Sequence, residues 1–187
     1  MGERDKIKER IHPHKFILWL GIGSILMMFA GLTSAYILKR NMANWQTFEL
    51  PTAFWYSTIA VALSSLTIWR AAGYFKARSM STYRVLTLIT VVLGSLFVVL
   101  QIVGFSQLVA AGTPLSRTSS VDFLYVIVGL HGLHVVAGIV VLIVLLLKAF
   151  SSKTKTYTSI PLELASTYWH FVGILWAYLL IFLLFIK

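Results

Sequence analysis

Residues 123–147 read FLYVIVGLHGLHVVAGIVVLIVLLL, twenty-five residues without one Asp, Glu, Lys or Arg. A helix needs roughly 20 apolar residues to cross ~30 Å of hydrocarbon, so this stretch is long enough to span a bilayer. Four further runs share the property, at 16–38, 53–72, 85–111 and 164–186, and the one charge inside any of the five is Arg70. In lipid the backbone must satisfy its own hydrogen bonds, which makes each run a helix. The expected fold class is all-α: a polytopic membrane protein, a bundle of five transmembrane helices spanning residues 16–187 behind a tail at 1–15.

Composition agrees. The 187 residues are 58% hydrophobic and 12% charged, against about 25% charged in soluble proteins. The stretches between runs are too short to form a separate domain. A soluble enzyme is excluded, and so is a membrane anchor carrying a soluble catalytic domain. The absence of cysteine excludes disulfides, thiolate metal sites and iron–sulfur clusters.

The net charge of +10 reads as topology. Five spans put the termini on opposite sides. Twelve of the sixteen Lys and Arg residues then share the N-terminal side, and Lys39, Arg40, Arg117 and Lys187 lie on the other. Short cytoplasmic loops carry the basic excess, so the N-terminus is expected in the cytoplasm and the C-terminus outside. No soluble basic module is present, so nucleic acid is not an expected partner.

Along the chain, the first run carries Gly21, Gly23, Gly31 and Ala35, and Gly31 and Ala35 stand four apart on one face. Thr33-Ser34-Ala35 is a weak cleavage signature, but the run is too long for a signal peptide and Lys39-Arg40 follow directly. Trp55, Tyr56, Trp69 and Tyr74 mark an aromatic belt at both ends of the second run. There is no internal repeat and no proline inside a run, which disfavours a secondary transporter with broken helices.

Ionisable residues inside a span are costly and are functional suspects by default. Deeper than Arg70, which lies near the end of the second run, they are His131 and His134, three apart on the fourth run, and His170 on the fifth. His134 and His170 fall at similar depth, and imidazoles on adjacent membrane helices ligate haem iron. The plainer expectation is that all three, with Ser64, Ser65 and Gln101, are structural polar contacts between helices. Lys15, Arg70 and Arg84, near the inner boundary, are candidates for lipid headgroups. Glu163 stands just before the fifth run, where a carboxylate suits a helix N-terminus. No nucleophile–base pair, phosphate loop or opposed carboxylates are found, so no catalytic residue and no metal ligand is assigned.

Two motifs carry a resemblance. Gly129-Leu-His-Gly-Leu-His-Val-Val-Ala-Gly138 resembles the penultimate-helix signature of subunit III of the haem-copper terminal oxidases, the cytochrome c oxidase family. Tyr168-Trp-His-Phe-Val172 with Trp176 is similar to that family's last-helix signature. Lys15, Trp19, Ser24, Phe29, Gly31 and Tyr36 fit its spacing in the first run, as do Leu63-Ser64-Ser65 with Trp69, and Leu93-Gly94 with Phe97 and Gln101.

The resemblance implies a short, five-helix form of a subunit that lies beside the catalytic subunit I, with subunit II and cytochrome c as further partners. It implies no cofactor in this chain, haem and copper in partner subunits, and bound phospholipid. The function expected is that of a non-catalytic subunit of a bacterial plasma-membrane oxidase, which reduces oxygen to water and translocates protons. The corresponding subunit of a quinol oxidase, an accessory subunit of a nitric oxide reductase, and an independent haem-b membrane protein are the alternatives. Three carboxylates usual in the family are absent, at Ile25, Gly104 and Gly173. A proton-responsive role through those groups is therefore not expected.

Overall fold

The structure is a computed structural model that describes residues 13–40, 50–110, 119–150 and 159–186, without the side chains of 119–121. The tail at 1–12, most of the α1–α2 loop at 41–49, the turn at Gly112-Thr113-Pro114 and most of the α4–α5 loop at 151–158 lie outside the described residues.

Five helices account for nearly all of it: α1 (Pro13–Lys39), α2 (Thr52–Lys76), α3 (Met80–Ala110), α4 (Ser119–Phe150) and α5 (Ile160–Phe185). Each includes nearly all of one apolar run, and most extend a few residues past it. Pro13 opens α1 and Pro161 lies in the first turn of α5, where the missing N–H removes no helical bond. The α2–α3 link is three residues long and closes a Schellman motif. Arg78 takes φ 59°, its N–H bonds the carbonyl of Phe75, and the N–H of Ser79 bonds that of Tyr74. Glycine is the usual occupant of that left-handed position.

Contacting pairs set the direction of every helix. Ser57 meets Gln101 and Thr67 meets Thr90, so α2 and α3 run antiparallel. Arg84 meets Ala149 and Phe105 meets Tyr125, which does the same for α3 and α4. Lys15 meets Glu163 and Thr33 meets Tyr178, so α1 runs parallel to α5. The helices α2, α3, α4 and α5 close into a ring, each touching the next, and α1 lies outside it against α4 and α5. Among the described residues, the backbone of α1 does not closely approach that of α2 or α3, and α1 buries only Ile22, Phe29, Thr33 and Tyr36.

Four of the five helices, α1, α3, α4 and α5, are long and apolar enough to cross a membrane. The sequence reading expected five. The run in α2 is diluted by Ser57, Thr58, Ser64, Ser65, Thr67 and Arg70. Ser57 and Ser64 are fully buried, and Thr58 and Thr67 also bond to neighbouring helices. A polar group turned to a protein partner costs far less in lipid than one turned to acyl chains. α2 pairs antiparallel with both α3 and α5 along its length, and so traverses the same layer as they do.

Candidate functional site

The polar interior of the bundle is organised by two indoles on α5, seven residues apart and hence on one face. Trp169 donates its N–H to Ser64 Oγ of α2 at 3.0 Å. Its ring fills space left by two glycines: a Cβ on Gly94 of α3 would stand 2.6 Å from Cη2, and one on Gly138 of α4 would stand 3.0 Å from Cε3. One side chain thus touches all three other helices of the ring. Trp176 repeats the arrangement nearer the C-terminal end of α5. It donates to Thr58 Oγ1 at 2.9 Å, stacks on His131 at 5.3 Å, and meets Phe97 and Phe54 edge-on at 5.2 and 5.7 Å.

The predicted site residues have different fates around this frame. Ser64 accepts from Trp169 and donates to its own Val61 carbonyl at 2.7 Å. Gln101 Nε2 donates to Ser57 Oγ at 3.0 Å, while its Oε1 has no hydrogen-bond partner among the described residues. His131 is fully buried, with Phe29, Phe97 and Trp176 around it and no partner for either ring nitrogen among the described residues. His134 Nδ1 lies 2.7 Å from the Leu130 carbonyl, which accepts from the Nδ1–H tautomer, and Phe29 meets its ring edge-on at 5.8 Å. The His134 carbonyl accepts from the Tyr168 hydroxyl at 3.0 Å. Phe29 therefore touches both histidines of the fourth run, and this contact helps seat α1.

His170 and Ser65 belong to another place. They line a groove of about 410 Å³ between α2 and α5, with Ala62, Gly173 and Ala177. His134 lies on the α1 side of the bundle and His170 on the α2 side, so the pair matched in depth by sequence is not set as two ligands of one iron.

The basic candidates also diverge. Arg84 Nε donates to the Ala149 carbonyl at the end of α4 at 2.8 Å, and its guanidinium lies 5.0 Å from the Phe150 ring centre. It satisfies one of the terminal carbonyls a helix leaves open. Arg70 lies on the exposed side of α2, beside Trp69 and Tyr74. Lys15 pairs with Glu163 at 3.1 Å and lines a cavity of about 360 Å³ near the N-terminal ends of α1 and α5, with Trp19, Lys76 and Thr167. Glu163 stands before the apolar run of α5, and the Lys15 ammonium holds its carboxyl below the usual carboxylate range.

Two of the three positions without a family carboxylate are close-packing points. A Cβ on Gly104 would collide with the Phe54 ring, and one on Gly173 would stand 3.1 Å from Ser65 Oγ. Ile25 packs against the core. The sequence reading did not single out Ser57, Thr58, Thr67 and Thr90, nor the central place of the two tryptophans. The available signal was the seven-residue spacing of Trp169 and Trp176 opposite small residues on other runs.

Sequence comparison relates the chain to known proteins. The sequence profile described as "Cytochrome c oxidase subunit III" matches residues 40–187, which hold α2 to α5. The probable cytochrome c oxidase subunit 3 of Nocardia farcinica is 32% identical over 166 residues, covering 86% of this chain and 80% of that one. The cytochrome c oxidase subunit 3 of Bacillus sp. PS3 is 28% identical over 172 residues, 89% and 83% of the two chains. The probable quinol oxidase subunit 3 of Staphylococcus saprophyticus is 26% identical over 186 residues, 95% and 92%. With a family match over four of its five helices and relatives aligned across all but a small part of its length, this membrane protein belongs to the cytochrome c oxidase subunit III family.

Proposed function

We propose that this chain is a non-catalytic subunit of a bacterial oxidase that reduces oxygen to water with electrons from cytochrome c and translocates protons. It sits in the plasma membrane with its N-terminus in the cytoplasm, beside a catalytic subunit and a subunit II. Haem and copper belong to those partners, and this chain holds no cofactor of its own. The observation that carries this reading is the use made of the polar interior: the hydroxyls and indoles tie helix to helix around Trp169 and Trp176. Such an interior favours a rigid supporting bundle over a reaction site. Lys15 and Arg70 at the inner boundary engage lipid phosphates, and Arg84 retains guanidinium nitrogens for the same purpose beyond its Ala149 contact.

Purifying the complex with and without this chain tests the proposal. Haem and copper per catalytic subunit stay unchanged, while turnover lifetime or thermal stability falls. Stoichiometric loss of metal on gentle removal of the chain would overturn it. One observation favours a second reading: the quinol oxidase relative aligns over 95% of the chain. Steady-state oxygen consumption with reduced cytochrome c against a quinol separates the two donors.

A further inference from the structure

Of the three histidines at membrane depth, His131 is enclosed and His134 bonds its own helix. His170 alone is partly exposed at the bundle surface without a hydrogen-bond partner among the described residues. Ser65 shares its groove and is likewise unpaired. It makes no bond back to its own helix, unlike Ser64 beside it, and its Oγ faces Gly173 across the gap. His170 is the seventh residue of its apolar run, roughly 9 Å inside the start. Acyl chains at that depth offer neither donor nor acceptor, and membrane-embedded ionisable side chains face protein or a water-filled cavity.

Part of the groove's wall is small, alongside Val61, Ile174 and Trp176, which also line it. Ala62 on α2 and Gly173 and Ala177 on α5 leave room for another helix to approach closely, the arrangement that drives helix association in lipid. Ala62 and Ala177 are exposed, so neither serves the bundle's own core. We infer that the α2–α5 groove receives a transmembrane helix of another oxidase subunit, and that a hydrogen-bonding side chain of that helix pairs with His170. This rests on the reading of the chain as one subunit of a larger oxidase. Phospholipid is the rival occupant, and an acyl chain leaves both His170 and Ser65 unpaired.

The test uses the assembled complex in native membranes. A benzophenone amino acid at position 174, which lines the groove and is 70% exposed, crosslinks to a membrane-spanning segment of a co-purifying chain. Crosslinks to phospholipid alone overturn the inference. Ala62→Leu and Ala177→Leu fill the groove without touching the core, and lower recovery of the partner on the order of three- to ten-fold. His170→Leu lowers it similarly and His170→Gln restores most of it, while Ile102→Phe on the exposed side of α3 has no effect. Unchanged recovery in both alanine variants sinks the groove assignment alone. A wild-type chain that brings down no membrane partner sinks the subunit reading with it.

Discussion

The ring of Trp169 occupies the space a side chain on Gly94 would need: a Cβ there would lie 2.6 Å from Cη2 and 2.9 Å from Cζ2. An indole is stiff and cannot bend away. Its N–H is also anchored to Ser64, so it cannot slide without losing a bond in lipid. Gly94→Ala should therefore destabilise the bundle by about 1–3 kcal/mol, the cost of overpacking a filled core. Gly31→Ala meets nothing within 4 Å and should be neutral. Thermal unfolding of the two variants in detergent checks this, and equal stabilities would show that the indole is not held there.

Restoring a carboxylate at position 104 meets the Phe54 ring. Gly104→Glu should prevent accumulation of folded protein, and Gly104→Ala should lower stability. Adding Phe54→Ala to Gly104→Ala should recover part of the loss, a coupling expected only for residues in contact. Strict additivity in the double-mutant cycle would contradict the packing.

His131 is buried without a partner for its nitrogens among the described residues. A buried polar group lacking a bond is costly, and an apolar replacement of similar shape is neutral or stabilising. His131→Leu should keep or raise stability, whereas His131→Ala should lose about 2–4 kcal/mol by opening a cavity beside Trp176. A leucine variant no better than alanine would mean that the imidazole makes a bond.

Arg78 carries the left-handed backbone of the α2–α3 link. A side chain there costs roughly 1 kcal/mol relative to glycine. Arg78→Gly should raise the unfolding midpoint, and Arg78→Ala should leave it unchanged. If both variants shift the midpoint equally, the charge and not the backbone conformation is responsible.

The Lys15–Glu163 pair ties the N-terminal end of α1 to that of α5. Lys15 depresses the carboxyl's folded-state pKa, so its contribution is present above the unfolded value of about 4.3 and is lost as pH falls through the lower folded value. Both side chains are partly exposed, so the effect is small and screened by salt. The stability gap between wild type and Glu163→Gln should close below about pH 4 and in high salt. A gap constant across pH would show that the pair is not the cause.

The number, order and approximate limits of the helices were legible in the sequence, because length and apolarity are local properties and unbroken apolar runs of about 20 residues suit a spanning helix and not a barrel strand. The family was legible as well, since its motifs lie on the last two helices, where Gly138, Trp169, Trp176 and His131 meet. Only the tertiary structure separated three similar histidines: His131 closed off by aromatic rings, His134 bonded to its own carbonyl, His170 left at a groove. It also resolved the hydroxyls of α2, which lower that helix's apolarity in the sequence and prove to be its bonds to α3 and α5. The reason is physical. A residue's own run sets its depth in the membrane, but the helix that packs over it sets its environment, and packing partners are decided between segments far apart in the chain.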